Sequence, residues 1–221
     1  MIAWRIIPFG EAALLLEAVP ADDRANRAVQ ALALALDDRA LPGVHRSVPA
    51  INTLLVPFDP SVIDHAEIES ILRDLLDQTA PLPDQPPRII KIPVIYGGEY
   101  GPDLIDVAER VRLSPAEVVA LHAGSIYRVR LIGFAPGFPY LGPLPGRLRL
   151  PRRSTPRTAV RAGSVAIAAD MTGIYPSRLP GGWHLLGHTP LPMFDPHADP
   201  PALLQPGDGV RFVPQPDGIV P

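Results

Sequence analysis

The sequence contains no cysteine, which excludes disulfides, thiolate nucleophiles and cysteine metal sites and fits a reducing compartment. Lysine is almost as scarce. Lys91 stands alone, so Schiff-base chemistry or a lysine-held phosphate would have to use it, and its setting in RIIKIPVIY reads as a solvent-facing strand-edge position. No apolar run approaches the roughly 20 residues that a membrane helix needs. The start, MIAWRIIPFGEAALLLEAVP, has no basic region leading into a continuous apolar stretch and is interrupted by Glu11 and Glu17, so no secretory leader is read and the cytoplasm is the expected location. Neither GxxxxGK[ST] nor a strand-to-helix GxGxxG occurs, so an ATP site would be built otherwise or supplied by a partner. Ser154, Ser164 and Ser177 lack a nucleophile-elbow sequence. With 20 basic against 23 acidic residues and a formal net charge of −3, nothing in the overall balance calls for nucleic acid or an anionic membrane.

What the chain does have is a hydrophobic fraction of 47%, ample for a packed core, together with 30 prolines and 18 glycines. Residues 2–9 and 12–19 read as strands, and Ala25, Ala28, Val29, Leu32 and Leu36 recur at helical spacing across 21–38. After Pro42-Gly43, residues 44–50 and 51–58 read as two further strands, and Ile63, Ile68, Ile71, Leu72, Leu75 and Leu76 mark a second amphipathic helix. Two helices, each after a strand pair, suit helices on one face of a mostly antiparallel sheet, a small α/β sandwich over 1–80. The stretch TAPLPDQPPR at 79–88 has four prolines and no periodicity, and 81–88 is read as the linker. Beyond it RIIKIPVIY predicts a strand and 102–111 a short helix. Ser114-Pro115-Ala116-Glu117 predicts a capped helix ending near Gly124, and 125–132 another strand. Short apolar segments such as 164–169 and 210–213, separated by Gly/Pro turns, then argue for a β-barrel or sandwich with long functional loops across 89–221. The fold class is α+β.

Gly133 to Pro190 carries most of the chemistry. Glycine permits positive φ and close approach, proline fixes φ, and their density prescribes an irregular path of the kind that shapes a site. Set into it are Phe134, Phe138, Tyr140, Tyr175, Trp183, His184, His188 and six arginines from Arg147 to Arg161, a mixture suited to an aromatic pocket that holds an anion. Pro151 and Pro156 stiffen the backbone around Arg152, Arg153 and Arg157, and a pre-organised guanidinium suits a carboxylate or phosphate. Arg153 and Arg157 are therefore the anion-binding candidates, while Arg147, Arg149 and Arg161 read as surface or alternating strand residues. His184 and His188 have HxxxH spacing, but the glycines around them and the missing glutamate argue against a zinc helix, so no metal site is assigned and a polar or loop-fixing role is read for both. Asp170, the one acid in this region, could act as a base or cap a turn.

At these residues the chain resembles the family known variously as the B subunit of 5-oxoprolinase, kinase inhibitor KipI and allophanate hydrolase subunit 1. The resemblance rests on GFAPGFPYLG at 133–142, PRRSTPR at 151–157, GSVAIA at 163–168, TGIYP at 172–176, PGGWHLLGHTP at 180–190 and PGD at 206–208, and it extends upstream through TLLVPFDP and YGGEYGPDLIDVA. It implies a small N-terminal α/β domain followed by a cyclophilin-like β-barrel. It also implies a homologous C subunit and a third protein as partners in an ATP-dependent hydrolase that opens 5-oxoproline, a small cyclic amide, to glutamate. Alternative implications are inhibition of a sensor histidine kinase, or a part in a urea carboxylase or allophanate hydrolase. Under the leading reading Arg153 and Arg157 bind an anion, Phe138, Tyr140 and Trp183 wall the pocket, and His122 and His188 are polar contacts, with no catalytic residue assigned. The chain departs from the family pattern at His188, where arginine is usual, and at Met171, where glutamine is usual.

Overall fold

Alternation of burial along the first strands fixes which side of their sheet is wet. In the computed structural model, which describes residues 2–84 and 88–215, the chain forms two compact units, Met1–Gln85 and Pro86–Pro221. In the first, β1 (Ala3–Pro8), β2 (Ala13–Val19), β3 (Val48–Pro49) and β4 (Thr53–Pro57) form an antiparallel sheet in the order β1-β2-β4-β3. Leu14, Leu16 and Ala18 on β2 and Leu54 and Val56 on β4 are buried, because period-2 alternation turns them to one face. There they meet Val29, Leu32 and Leu36 of helix α1 (Asp23–Arg39) and Ile68, Leu72 and Leu75 of helix α2 (His65–Gln78). The Asp22 carboxylate accepts from the Ala25 N–H at the start of α1, and Asp64 and Glu67 form a reciprocal capping box at the start of α2.

Two predicted strands are shorter than their apolar patterns suggest. Pairing is interrupted at Ser47, where the Asp37 carboxylate takes both the N–H, at 3.2 Å, and the hydroxyl, at 3.1 Å. Within the segment the regular ladder is confined to Val48–Pro49, with Val44 bridged singly to Phe58 and the His45 N–H bonded to the Pro57 carbonyl at 2.9 Å. Of the proline-rich stretch read as a linker, residues 85–87 lie outside the described residues. Its start is tied down, with Arg27 on α1 2.8 Å from the Asp84 carboxylate.

In the second unit, β5 (Ile89–Tyr96), β6 (Ile126–Ile132), β7 (Pro139–Gly142), β9 (Ser164–Ala168), β10 (Met171–Ile174), β12 (His184–His188) and β13 (Gly209–Pro214) close into a barrel in the order β10-β7-β6-β13-β5-β12-β9. Closure removes the free edges that short strands would otherwise expose. Every pairing is antiparallel except β13 with β5. A separate pair, β8 (Arg157–Val160) with β11 (Leu179–Gly181), stands apart from the barrel sheet. Helices α3 (Leu104–Val111) and α4 (Pro115–Ala123) lie between β5 and β6 in sequence and add Leu104, Val107, Ala108 and Val118 to the barrel core. At the foot of the barrel the Asp208 carboxylate, 3% exposed as a residue, receives Nε and Nη2 of Arg88 at 2.7 Å each and the Gln205 N–H. The Pro206-Gly207-Asp208 motif thus ties the entry of β5 to that of β13 by a bidentate pair. Among the described residues no helix is long and apolar enough to cross a membrane.

His122 shows how completely the barrel interior is wired. It is fully buried and stacks on Phe212 at 4.5 Å between ring centroids. Thr172 donates its hydroxyl to the Ala166 carbonyl, so the 2.9 Å contact between Thr172 Oγ1 and His122 Nε2 is made by the imidazole N–H. Nδ1 then accepts the Tyr96 hydroxyl at 2.7 Å. Burial pushes the His122 pKa down to about 3. The folded imidazole stays neutral while the unfolded one takes a proton below 6.5, so this stabilisation is complete above pH 6.5 and is lost as pH falls toward 3. Chemical denaturation between pH 7 and 4 is expected to show stability falling with acidity, with a His122→Asn variant flattening the slope by up to about 1.4 kcal/mol per pH unit; an unchanged slope would exclude a neutral buried His122.

Candidate functional site: an aromatic cluster beside a carboxylate-bridged arginine pair

The aromatic residues of the 133–190 stretch converge. Phe138 meets Tyr140 at 5.0 Å, Tyr175 at 5.2 Å and Trp183 at 5.7 Å between centroids, the last two edge-to-face, and Tyr140 meets Trp183 at 5.8 Å. Phe138, Tyr175 and Trp183 are buried, Tyr140 is half-buried, and Met171 and Leu179 pack at the margin. Gly173 on β10 makes this possible: a Cβ there would stand 2.9 Å from the Pro139 carbonyl oxygen and 3.1 Å from the rings of both Phe138 and Trp183. The loop before β7 folds back on itself through Phe138 N–H to the Ala135 carbonyl and Gly133 N–H to the Phe138 carbonyl. It holds Phe134 at φ +69°, 60% exposed, with its ring 5.5 Å from that of Phe138. Burial raises the Tyr140 and Tyr175 hydroxyl pKa values, and the Arg152 charge pulls both the other way.

Beside this cluster runs the arginine segment, and it is anchored by a residue from elsewhere. Asp103, 5% exposed, accepts Nη1 and Nη2 of Arg157 at 2.9 and 2.7 Å, Nη1 of Arg153 at 3.0 Å and the Leu185 N–H at 2.7 Å. Burial works to raise its pKa, but the hydrogen bonds from Arg157 and Leu185 and the charges of Arg157 and Arg153 outweigh it and hold the carboxyl below its ordinary 3.8. The Arg153 N–H also donates to the Gly182 carbonyl at 2.8 Å, one residue before Trp183. Two histidines of β12 clip the same segment from below. His184 Nε2–H donates to the Pro151 carbonyl at 2.9 Å and His188 Nε2–H to the Ala162 carbonyl at 3.0 Å. Gly163, at φ +80°, turns the chain where a Cβ would collide with the Thr189 carbonyl and His188 Nε2.

Of the residues singled out from sequence, Phe138, Tyr140 and Trp183 are in mutual contact, and Arg153 and Arg157 share Asp103 next to Trp183. His188 lies at the other end of β12, its ring 5.3 Å from that of Tyr100 in a tilted arrangement, with its pKa lowered by burial. His122 does not join them, since both its ring nitrogens are used inside the barrel. Asp170 sits in the turn between β9 and β10, 3.4 Å from Arg130, and its carbonyl accepts the Leu144 N–H. Among the described residues no group of three or more His, Asp or Glu side chains could hold a metal. The HxxxH pair is a backbone clip whose Nε2 atoms are already taken.

Sequence reasoning missed Asp103. A signal was present: Asp170 is the only acid between Glu117 and Asp195, a span that carries nine arginines, and it faces Arg130, so an ion pair of Arg153 or Arg157 has to draw its carboxylate from outside. Asp103 stands at the N-cap of α3 yet makes no capping bond, because its oxygens are spent on the arginines. For the aromatic cluster, Gly173→Ala is expected to cost about 1–3 kcal/mol by overpacking and to weaken the near-UV circular dichroism of Trp183 in a Trp4→Phe background. Wild-type stability and signal would refute the close packing at Gly173.

The family described as carboxyltransferase domain, subdomain C and D, matches residues 4–204. A protein of Escherichia coli O157:H7 named as the B subunit of 5-oxoprolinase is 46% identical over 212 residues, 95% of each chain. The crystal structure of TTHA0988 is similar with a TM-score of 0.82 and 40% identity over 95% of this chain, which spans only 40% of that longer one. Urea carboxylase of Kluyveromyces lactis, at 20% identity and a TM-score of 0.75 over 98% of this chain and 22% of its own, shares the fold. The chain therefore belongs to the family of 5-oxoprolinase B subunits, within the carboxyltransferase subdomain C and D group.

Proposed function

We propose that this chain is the B subunit of an ATP-dependent 5-oxoprolinase complex, working with a homologous C subunit and a third protein to open 5-oxoproline to glutamate. The observation that carries the reading is 46% identity over 95% of both chains to a protein of that name. Opening the lactam adds water across the carbonyl and breaks the C–N bond, giving a new carboxylate and an amine. The substrate keeps its own carboxylate throughout. The arginine pair beside Trp183 suits that group: two guanidinium charges against one Asp103 carboxylate leave one positive charge, matched to a monoanion. Phe138, Tyr140 and Trp183 would wall the apolar ring and exclude water.

ATP supplies phosphoryl activation of a poorly electrophilic amide oxygen. Neither common phosphate-binding loop sequence occurs in the chain, so nucleotide binding is assigned to the partner proteins. His188 is assigned to holding the arginine segment through the Ala162 carbonyl. His122 is assigned to the barrel interior.

The test is ATP-dependent glutamate release from 5-oxoproline by this chain co-purified with its partners. Release that disappears when this chain is omitted, and falls about tenfold or more at subsaturating substrate with Arg157→Ala, is the expected result. A stable complex that hydrolyses ATP yet leaves 5-oxoproline untouched would overturn the reading.

A further inference from the structure

We infer that Asp103 is a positioning residue that divides the labour of the two arginines, committing Arg157 to the fold and leaving Arg153 to meet a monoanionic ligand. The inference rests on the reading of this cradle as a carboxylate site. Arg157 gives both terminal nitrogens to Asp103, in a fork that aligns one guanidinium with one carboxylate. Arg153 gives only Nη1, and its Nε is buried without a hydrogen-bond partner. Asp103 thereby cancels one of two charges and also fixes where the other one points. The carboxylate is itself held rigidly, by the Leu185 N–H on β12 and by the Asp103 N–H to the Leu185 carbonyl at 3.1 Å. The ligand-facing guanidinium is therefore indexed to a barrel strand rather than to its own irregular segment.

This arrangement predicts selectivity rather than overall strength. With Asp103→Asn the site holds two uncancelled charges, and the amide N–H₂ repels guanidinium donors, so Arg153 loses its set direction. The aromatic wall, built on Gly173 and Phe138, is left intact.

The experiment is steady-state glutamate release by the assembled complex, with 2-pyrrolidinone, the substrate ring lacking the carboxylate, as a competing neutral probe. Asp103→Asn is expected to raise KM for 5-oxoproline about tenfold or more, with kcat and the inhibition constant of 2-pyrrolidinone each within about threefold of wild type. A merely structural role would weaken both ligands together and would overturn the inference. If Arg153→Ala raises KM but Asp103→Asn does not, the positioning role falls and the carboxylate site stands. If Arg153→Ala leaves KM unchanged, the carboxylate site falls and the inference with it. Should Asp103→Asn fail to fold, Asp103→Glu keeps the charge and displaces the arginines by one methylene, and a wild-type KM there would overturn the inference. Should the wild-type complex release no glutamate, the reading of function fails separately. Acetate binding to the full chain, followed by Trp183 fluorescence in a Trp4→Phe background, then decides: binding lost in both Asp103→Asn and Arg153→Ala supports the inference, and binding retained in Asp103→Asn overturns it.

Discussion

A carboxylate withdrawn from water must be compensated by hydrogen bonds, and around Asp103 that requirement organises the arginine segment of the barrel. Its two oxygens collect three guanidinium donors and a backbone N–H. Removing either kind of partner would strand a buried charge, a far larger loss than the net worth of an exposed ion pair. The segment carrying Arg153 and Arg157 has little regular structure of its own beyond the four residues of β8. Its shape is imposed from outside, by Asp103 in the middle and by the imidazoles of His184 and His188 holding the Pro151 and Ala162 carbonyls at its two ends.

The other half of the site is made by what is missing from the backbone. Gly173 supplies no Cβ where Phe138 and Trp183 need to lie across β10, and Gly163 turns at positive φ beneath His188. Both glycines add conformational entropy to the unfolded chain, which folding must overcome. The result is an edge-to-face aromatic group joined to the arginine segment through the Arg153 N–H on the Gly182 carbonyl, one residue before Trp183. The closed barrel beneath supplies rigidity: the neutral His122, wired to Tyr96 and Thr172 and stacked on Phe212, joins β5, α4, β10 and β13 across the interior.

Much of the fold was legible because its signals are local. The period of 3.6 in 23–39, the Ser114-Pro115-Ala116-Glu117 capping box and the strands 89–96, 126–132 and 209–214 all stand near the residues that announce them. The strand expected over 44–50 is broken because the Asp37 side chain takes the Ser47 N–H between the Val44 bridge and Val48–Pro49, which no periodicity records. Closure of the barrel, as against a sandwich, depends on β10 pairing with both β7 and β9, a non-local fact. In the site, residue types indicated an aromatic wall and arginines, but not their shared carboxylate: Asp103 is 50 residues from Arg153 in sequence and looks like an ordinary helix cap. His122 illustrates the converse, since a histidine at a helix end reads equally well as a contact or as a core residue until burial decides.

Asp103 stays ionised between two arginines despite its burial, and the shape and charge of the site follow from that. Burial alone would raise its pKa above the ordinary 3.8, whereas Arg157, the Leu185 N–H and Arg153 together lower it, so the sign of the shift separates the two forces. The most direct measurement is an NMR pH titration of the Asp103 carboxyl carbon in the full chain. The expected midpoint lies below 3.8 and moves upward in Arg157→Ala; a midpoint at or above 3.8 in the wild-type protein would contradict an ionised, arginine-held Asp103.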